Sequence, residues 1–245
     1  MIGYPPGVII TGVDVSQHQR PSACNWARAY SSGLRFAWVK GSEGAGGEAG
    51  AYVDPAASEH LARLRQTPML AGMYHFARPD NRFRVSPNGL TNGLAEGTHA
   101  ASTAIDLGVA FAGSLPIAID LEKYTPAELG ITDVQRGEFV LGMIGAIEAM
   151  TGRLPVIYTG PNYWDDQQTP KLATDLRARG VLLWLVKYSR EADPPKTIPG
   201  WPWSVWQHSG GGDFAYAPPV AGLPSPIDQN VYRGSEAELR SLAGF

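Results

Sequence analysis

The stretch LPIAIDLEKYT, residues 115–125, begins as an apolar run and stops in two carboxylates, Asp120 and Glu122, with one leucine between them. A short apolar run of this kind predicts a buried strand. Side chains alternate faces along a strand, so both acids project from the same face, about 7 Å apart at their Cα atoms. Acids are seldom buried without a partner or a purpose. What lies on that face depends on the strands around it.

Working outward, short apolar runs alternate with helical patterns along most of the chain, which predicts βα units and a mainly parallel sheet. Upstream, strands are predicted at VIITGVD (8–14), RFAWVK (35–40) and MLAGMYHF (69–76). Between them, one helix is capped by Asn25 and stopped at Gly33, and another opens at Asp54 and Pro55. Residues 78–92 read as a long surface loop before a helix near 94–107. Downstream, Thr132 caps a helix whose Val140, Met143, Ile144 and Ile147 follow i, i+3, i+4, i+7 spacing, and Gly152 ends it. Strands follow at LPVIYT (154–159), VLLWLVKY (181–188), SVWQHS (204–209) and around Ile227, with a helix begun by Thr169 and Pro170 before the second of these. Ser235 and Glu238 form a capping box for a final short helix. The fold expected is α/β: an irregular (β/α) barrel of the TIM type, with about eight strands and fewer than eight helices. An open doubly wound sheet is the alternative. No GxGxxG follows the first strand and no GxxxxGK[ST] occurs, which removes the usual nucleotide-binding readings.

Parallel barrels carry their chemistry at the C-terminal ends of the strands. Those ends hold Asp14; Lys40 with Glu43 just beyond; Tyr74 and His75; Asp120 and Glu122; Tyr158; Tyr188; Gln207; and Asp228, at which the last short strand is expected to stop. Polar groups at so many successive ends predict one shared pocket. Two close carboxylates compete for ionisation, and one is pushed to keep its proton near neutral pH. A protonated acid beside an ionised one suits glycosidic cleavage, in which one group protonates the leaving oxygen while negative charge steadies an oxocarbenium-like centre. Taken alone, a DxE also fits a half-exposed strand end paired with Lys40 or Lys123.

Other chemistries fit less well. The net charge of −3 argues against nucleic acid as the main partner. No run of apolar residues is long enough to span a membrane. The single cysteine, Cys24, rules out an internal disulfide and has no obvious base beside it, so it reads as a small packed residue. The five histidines show neither HxH nor HExxH spacing, and neither a metal nor a cofactor is expected. No GxSxG marks a serine nucleophile. Of the seven tryptophans, Trp184 and Trp206 are expected in the core or at the barrel rim, and Trp201 or Trp203 are candidates for sugar platforms.

The motifs GVDVSQHQ (12–19), VKGSEG (39–44), AGMYHF (71–76), IDLE (119–122), PVIYTG (155–160), LWLVKY (183–188), VWQHS (205–209) and IDQNVY (227–232), taken in order, resemble the glycoside hydrolase family 25 lysozymes, N-acetylmuramidases that include phage endolysin catalytic domains. The resemblance covers about residues 10–233. It implies that Glu122 is the general acid/base and that Asp120 assists through the substrate's N-acetyl group, with net retention. It also implies that Asp14 and Asp228 line the groove and that Tyr74 and Tyr158 lie near the scissile bond; Lys40, His75, Tyr188 and Gln207 are taken as supporting residues. The expected partner is the peptidoglycan glycan strand, met by a monomer, with neither nucleic acid nor membrane.

A glycan-binding barrel that does not cut would not need all four acids. A chitinase-like hydrolase would show acids before Asp120 on the strand, where LPIAI has none. The start, MIGYPPGVIITGVD, lacks the features of a signal peptide, so phage-type release, or a leader preceding this sequence, is expected for an enzyme acting on the bacterial wall. A single catalytic domain over 1–245 is expected, without a separate wall-binding domain.

Overall fold

A computed structural model of the chain describes residues 9–47, 50–79, 85–122, 130–167, 170–191 and 193–245. In chain order the elements are β1 (Ile9–Val15), α1 (Trp26–Ser31), β2 (Phe36–Glu43), β3 (Tyr52–Val53), α2 (Ala57–Leu64), β4 (Leu70–Phe76), α3 (Gly89–Asp106), β5 (Ala118–Leu121) and α4 (Asp133–Thr151). Then follow β6 (Val156–Thr159), α5 (Pro161–Gln167), α6 (Pro170–Arg179), β7 (Leu182–Val186), β8 (Trp203–Ser209), β9 (Asp228–Arg233) and α7 (Glu236–Leu242).

The sheet is a closed barrel. Its strands run β1-β2-β4-β5-β6-β7-β8-β9, and β9 returns to β1; β3 hangs from β2 outside the ring. Within the ring the pairings from β1 through β8 are parallel and β9 is antiparallel to both of its neighbours; outside it β3 is antiparallel to β2. Parallel neighbours need a crossover, usually a helix, and antiparallel ones do not. Between β8 and β9 the described residues accordingly hold only a single 3-10 turn, Gly212–Phe214. The barrel reading holds, and the open sheet does not.

Three predicted caps form as the sequence suggests, but the helix expected to open at Asp54 and Pro55 begins at Ala57, with Ala56 in the cap position and Asp54 Oδ1 accepting from the Ala56 amide at 2.8 Å. Asn25 accepts from the Arg28 amide at 2.9 Å, and Thr132 with Gln135 and Ser235 with Glu238 make reciprocal capping boxes. Gly152 ends α4 in the left-handed conformation. Thr169 and residues 80–84 lie outside the described residues. α3 starts at Gly89, five residues before the predicted point, with Asn88 accepting from the Thr91 amide. Its glycines argue against a helix on propensity. Packing overrides this: a Cβ on Gly93 would sit 2.0 Å from the Phe139 carbonyl oxygen of α4, and one on Gly89 2.2 Å from that of Gln135. The glycines recur every four residues and let the two helices touch backbone to backbone.

Strand alternation sorts the apolar residues into two cores. Val13, Val39, Ile119, Ile157, Leu183 and Trp206 face the helices. Ile10, Phe36, Trp38, Val156, Trp184 and Val205 fill the barrel. Gly12 and Gly72 make room there, since a Cβ would fall 2.3 Å from the Phe36 ring or 2.8 Å from Trp38 Nε1. Leu239 of α7, with Ala243 beyond it, joins the inner core and stops one mouth of the barrel. The other mouth, at the C-terminal ends of the parallel strands, stays open.

Trp201 and Trp203 are not platforms. Both are buried in the outer core, with Trp201 donating to the Val181 carbonyl at 2.9 Å and Trp203 lying under the Arg233 guanidinium.

Candidate active site

The open mouth leads into a cavity of about 160 Å³ lined by Asp14, Ser16, His18, Lys40, Tyr74, Phe76, Asp120, Glu122, Tyr158, Trp184, Tyr188, Gln207 and Asp228. Nine of the ten residues given catalytic, groove or supporting roles from the sequence therefore meet in one place. The tenth, His75, does not. Next to Tyr74 on β4, it takes the opposite face by alternation. It is fully buried between sheet and helix, with Nδ1 2.8 Å from Ser42 Oγ and Nε2 2.9 Å from Glu96 Oε2. A bulge at Gly41 resets the parity of β2, which lets Lys40 face the cavity while Ser42 turns out to meet His75.

Asp228 reaches the cavity by a route the sequence reading reversed. It begins the last strand instead of ending it. Because β9 runs antiparallel, its first residue lies at the same mouth as the last residues of the others, and Asp228 pairs in register with Asp14.

Asp14 is held firmly. Its Oδ2 accepts from Gln207 Nε2 at 2.9 Å and from Asn230 Nδ2 at 2.7 Å. Gln207 in turn accepts from the Tyr158 hydroxyl at 2.8 Å, and Asn230 accepts from Trp184 Nε1 at 2.8 Å. This buried chain across β6, β8, β1, β9 and β7 fixes one carboxylate among side chains that are otherwise neutral. Asn230 was missed from sequence, although its place two residues after Asp228 puts it on the same strand face. Trp184 forms part of the cavity wall, 4.7 Å from the Trp38 ring and 4.9 Å from Tyr158.

Asp120 is held differently. It is only 6% exposed, and its Oδ1 accepts no hydrogen bond among the described residues. Glu122 projects from the same face and stays open to solvent at the mouth. Lys40 does not pair with either acid: its Nζ bonds Glu43 Oε2 at 2.7 Å, and Arg78 reaches Oε1 of the same carboxylate at 3.2 Å. Lys123, the other suggested partner, lies outside the described residues. The cavity thus carries an excess of acid over base.

That excess moves the proton affinities. Burial, then the charges of Glu122 and Asp14, pushes Asp120 well above the usual carboxylate range, with Lys40 opposing. Glu122 is also raised, chiefly because the dense walls displace water beneath it and then by the Asp14 charge, with Lys40 again opposing. Burial raises Asp14 to about 6, less than it otherwise would because Asn230 and Gln207 stabilise the anion. Burial and then the charges of Asp14 and Glu122 raise Asp228 to about 8. Tyr74 and Tyr158 are raised by burial and by the acids, so both stay neutral hydrogen-bond donors.

The shift on Asp228 has a consequence for stability. A carboxyl whose proton affinity is higher folded than unfolded contributes stability that is complete below about pH 4 and is lost as pH rises through the folded value. For Asp228 the loss therefore runs from about pH 4 to about pH 8. Asp228→Asn should melt higher than the parent at alkaline pH, with the advantage shrinking toward acid pH. An advantage of equal size at both extremes in paired melting curves would contradict the assignment.

The comparisons agree with this fold. The family model for glycosyl hydrolases family 25 matches residues 13–215. An N,O-diacetylmuramidase from Chalaropsis is 31% identical over 244 residues, covering 96% of this chain and 99% of that protein. A bacterial lysozyme from Streptomyces coelicolor superposes with a TM-score of 0.74 at 26% identity, covering 96% of each chain. A GH25 lysozyme from Aspergillus fumigatus gives 0.72 at 26% identity, covering 96% of this chain and 99% of that one. A closed barrel with four acids at its open mouth and this family match over most of its length lead to one conclusion: the chain belongs to glycosyl hydrolase family 25, the lysozyme family, whose activity is the hydrolysis of peptidoglycan.

Proposed function

We propose that the protein cuts the β-1,4 bond between N-acetylmuramic acid and N-acetylglucosamine, with Glu122 as general acid and then base, and Asp120 as the group that orients the substrate's own acetamido arm. The observation that carries this reading is the buried Oδ1 of Asp120, which has no hydrogen-bond partner among the described residues, beside the solvent-open Glu122. A buried acceptor without a donor is costly, and an acetamido N–H entering the cavity would supply the donor.

In the empty site the two acids compete for ionisation and titrate as a pair. Once the acetamido N–H donates to Asp120, the ionised form of Asp120 is favoured and the proton rests on Glu122. Glu122 then gives that proton to the glycosidic oxygen as the C1–O bond breaks, the bonding electrons going to the oxygen. The acetamido carbonyl oxygen bonds to C1 from the opposite face and forms a cyclic oxazolinium ion. Its positive charge develops next to ionised Asp120 and within the field of Asp14. Water enters on the face the leaving group vacated, Glu122 removes its proton, and the C1–O bond to the acetamido oxygen opens. Two inversions at C1 leave net retention.

The stereochemistry tests the route. Proton NMR of a defined muroglycan during early turnover should show the β-anomer of the new reducing end first, with the α-anomer growing in by mutarotation. The α-anomer appearing first would require direct attack by water and would remove Asp120 from the proposed role.

A further inference from the structure

At about 160 Å³ the cavity is smaller than the roughly 300–1,000 Å³ typical of pockets that bury a whole ligand. Most of a glycan chain bound here must lie on the open rim. One part of that rim is built for such contact. Tyr188, which lines the cavity, stacks on Phe214 with ring centroids 4.9 Å apart and planes inclined by 27°. Phe214 meets Tyr216 edge-on at 6.4 Å, and the Arg190 guanidinium covers the Tyr216 ring at 5.3 Å.

The loop after β8 holds these rings in place. The Gly210 amide donates to the Phe214 carbonyl at 2.9 Å, and Ser209 Oγ accepts from the amides of Tyr216 and Ala217 at 2.9 and 3.0 Å. Gly210 lies so close beneath Tyr188 that a Cβ there would come within 2.9 Å of its ring. Phe214 nevertheless leaves 50% of its surface in solvent. This exposed apolar ring is continuous with the cavity through Tyr188 and so lies where a chain leaving the cavity would pass.

We propose that Phe214, Tyr216 and Arg190 form a remote sugar-binding shelf that takes an N-acetylated pyranose ring of the same glycan strand, away from the bond being cut. Aromatic surface suits the apolar face of a sugar ring, and the guanidinium retains donors for hydroxyl or acetamido oxygens. The shelf rests on the glycan-cleaving reading of the cavity and adds to it a preference for long chains.

The test is equilibrium binding of soluble peptidoglycan glycan chains of two lengths, one that fills only the cavity and one that runs past the rim, in a Glu122→Gln background so that neither is consumed. Phe214→Ala should weaken the long chain about five- to tenfold and leave the short chain unchanged, and Phe214→Trp should restore the long-chain affinity. Unchanged long-chain affinity in Phe214→Ala, or an equal loss for both lengths, would overturn the shelf. Failure of the catalytic reading has a different signature, chains bound but left uncut by the protein with Glu122 intact.

Discussion

Glu122→Gln should lower turnover on peptidoglycan by about 10²–10⁴-fold or more, the range expected when a general acid is lost. Glutamine matches glutamate in shape and keeps the carbonyl oxygen, but it has no proton to give to the leaving sugar. Glu122 is open at the mouth of the cavity and none of the described hydrogen bonds is made by its carboxylate, so the change removes no described contact of the fold. Its neighbours Asp14 and Asp120 also lose a repelling charge. The variant should therefore melt no lower than the parent and still bind glycan. A kinetic assay on suspended cell walls, paired with a melting curve, separates the two effects. Retained turnover would place the proton donor elsewhere among the four acids.

Asp120→Asn should reduce kcat by about 10²–10³-fold, the scale of a preorganised electrostatic partner removed from a dry site. An amide at this position either opposes the acetamido N–H with its own N–H or offers it an uncharged oxygen. Either way the developing oxazolinium charge loses its nearest counter-charge. A second readout separates this role from a structural one. Removing the Asp120 charge makes Glu122 easier to ionise, because a like charge beside a carboxyl favours its protonated form. The alkaline limb of the kcat profile should move to lower pH in Asp120→Asn. A few-fold change in kcat with an unmoved limb would make Asp120 a packing residue.

The barrel and the pair of acids at its mouth were both legible in the sequence, whereas the direction of the last strand was not. Asp120 and Glu122 were legible because two-residue alternation and a strand end are local properties of LPIAIDLE. The same rule, applied strictly, would have removed His75, since Tyr74 and His75 on one strand cannot both face the cavity. What hid the other partners was non-local. Asn230 reaches Asp14 only because β9 runs antiparallel between β1 and β8, and nothing in IDQNVY states a direction. The same reversal explains how Asp228 could be placed correctly at the mouth while sitting at the wrong end of its strand.

The helices follow the same division. The caps at Asn25, Thr132 and Ser235 were legible because each depends on a few neighbouring residues. The early start of α3 was not, because its glycines act through contact with α4, nearly fifty residues further on by the Gly89 to Gln135 approach. Trp201 and Trp203 were equally ambiguous, since a tryptophan reads the same in a core as on a sugar platform. The exposed aromatic at Phe214 went unnoticed because its significance comes from Tyr188, on the far side of β8.

The products of digestion reveal whether the pair of acids at the end of β5 cuts the muramic acid linkage. Purified peptidoglycan is digested, the fragments are reduced, and the newly formed reducing sugar is identified by mass spectrometry. New N-acetylmuramic acid ends are expected with the intact protein and none with Glu122→Gln. New N-acetylglucosamine ends, or N-acetylmuramic acid ends that persist in Glu122→Gln, would contradict it.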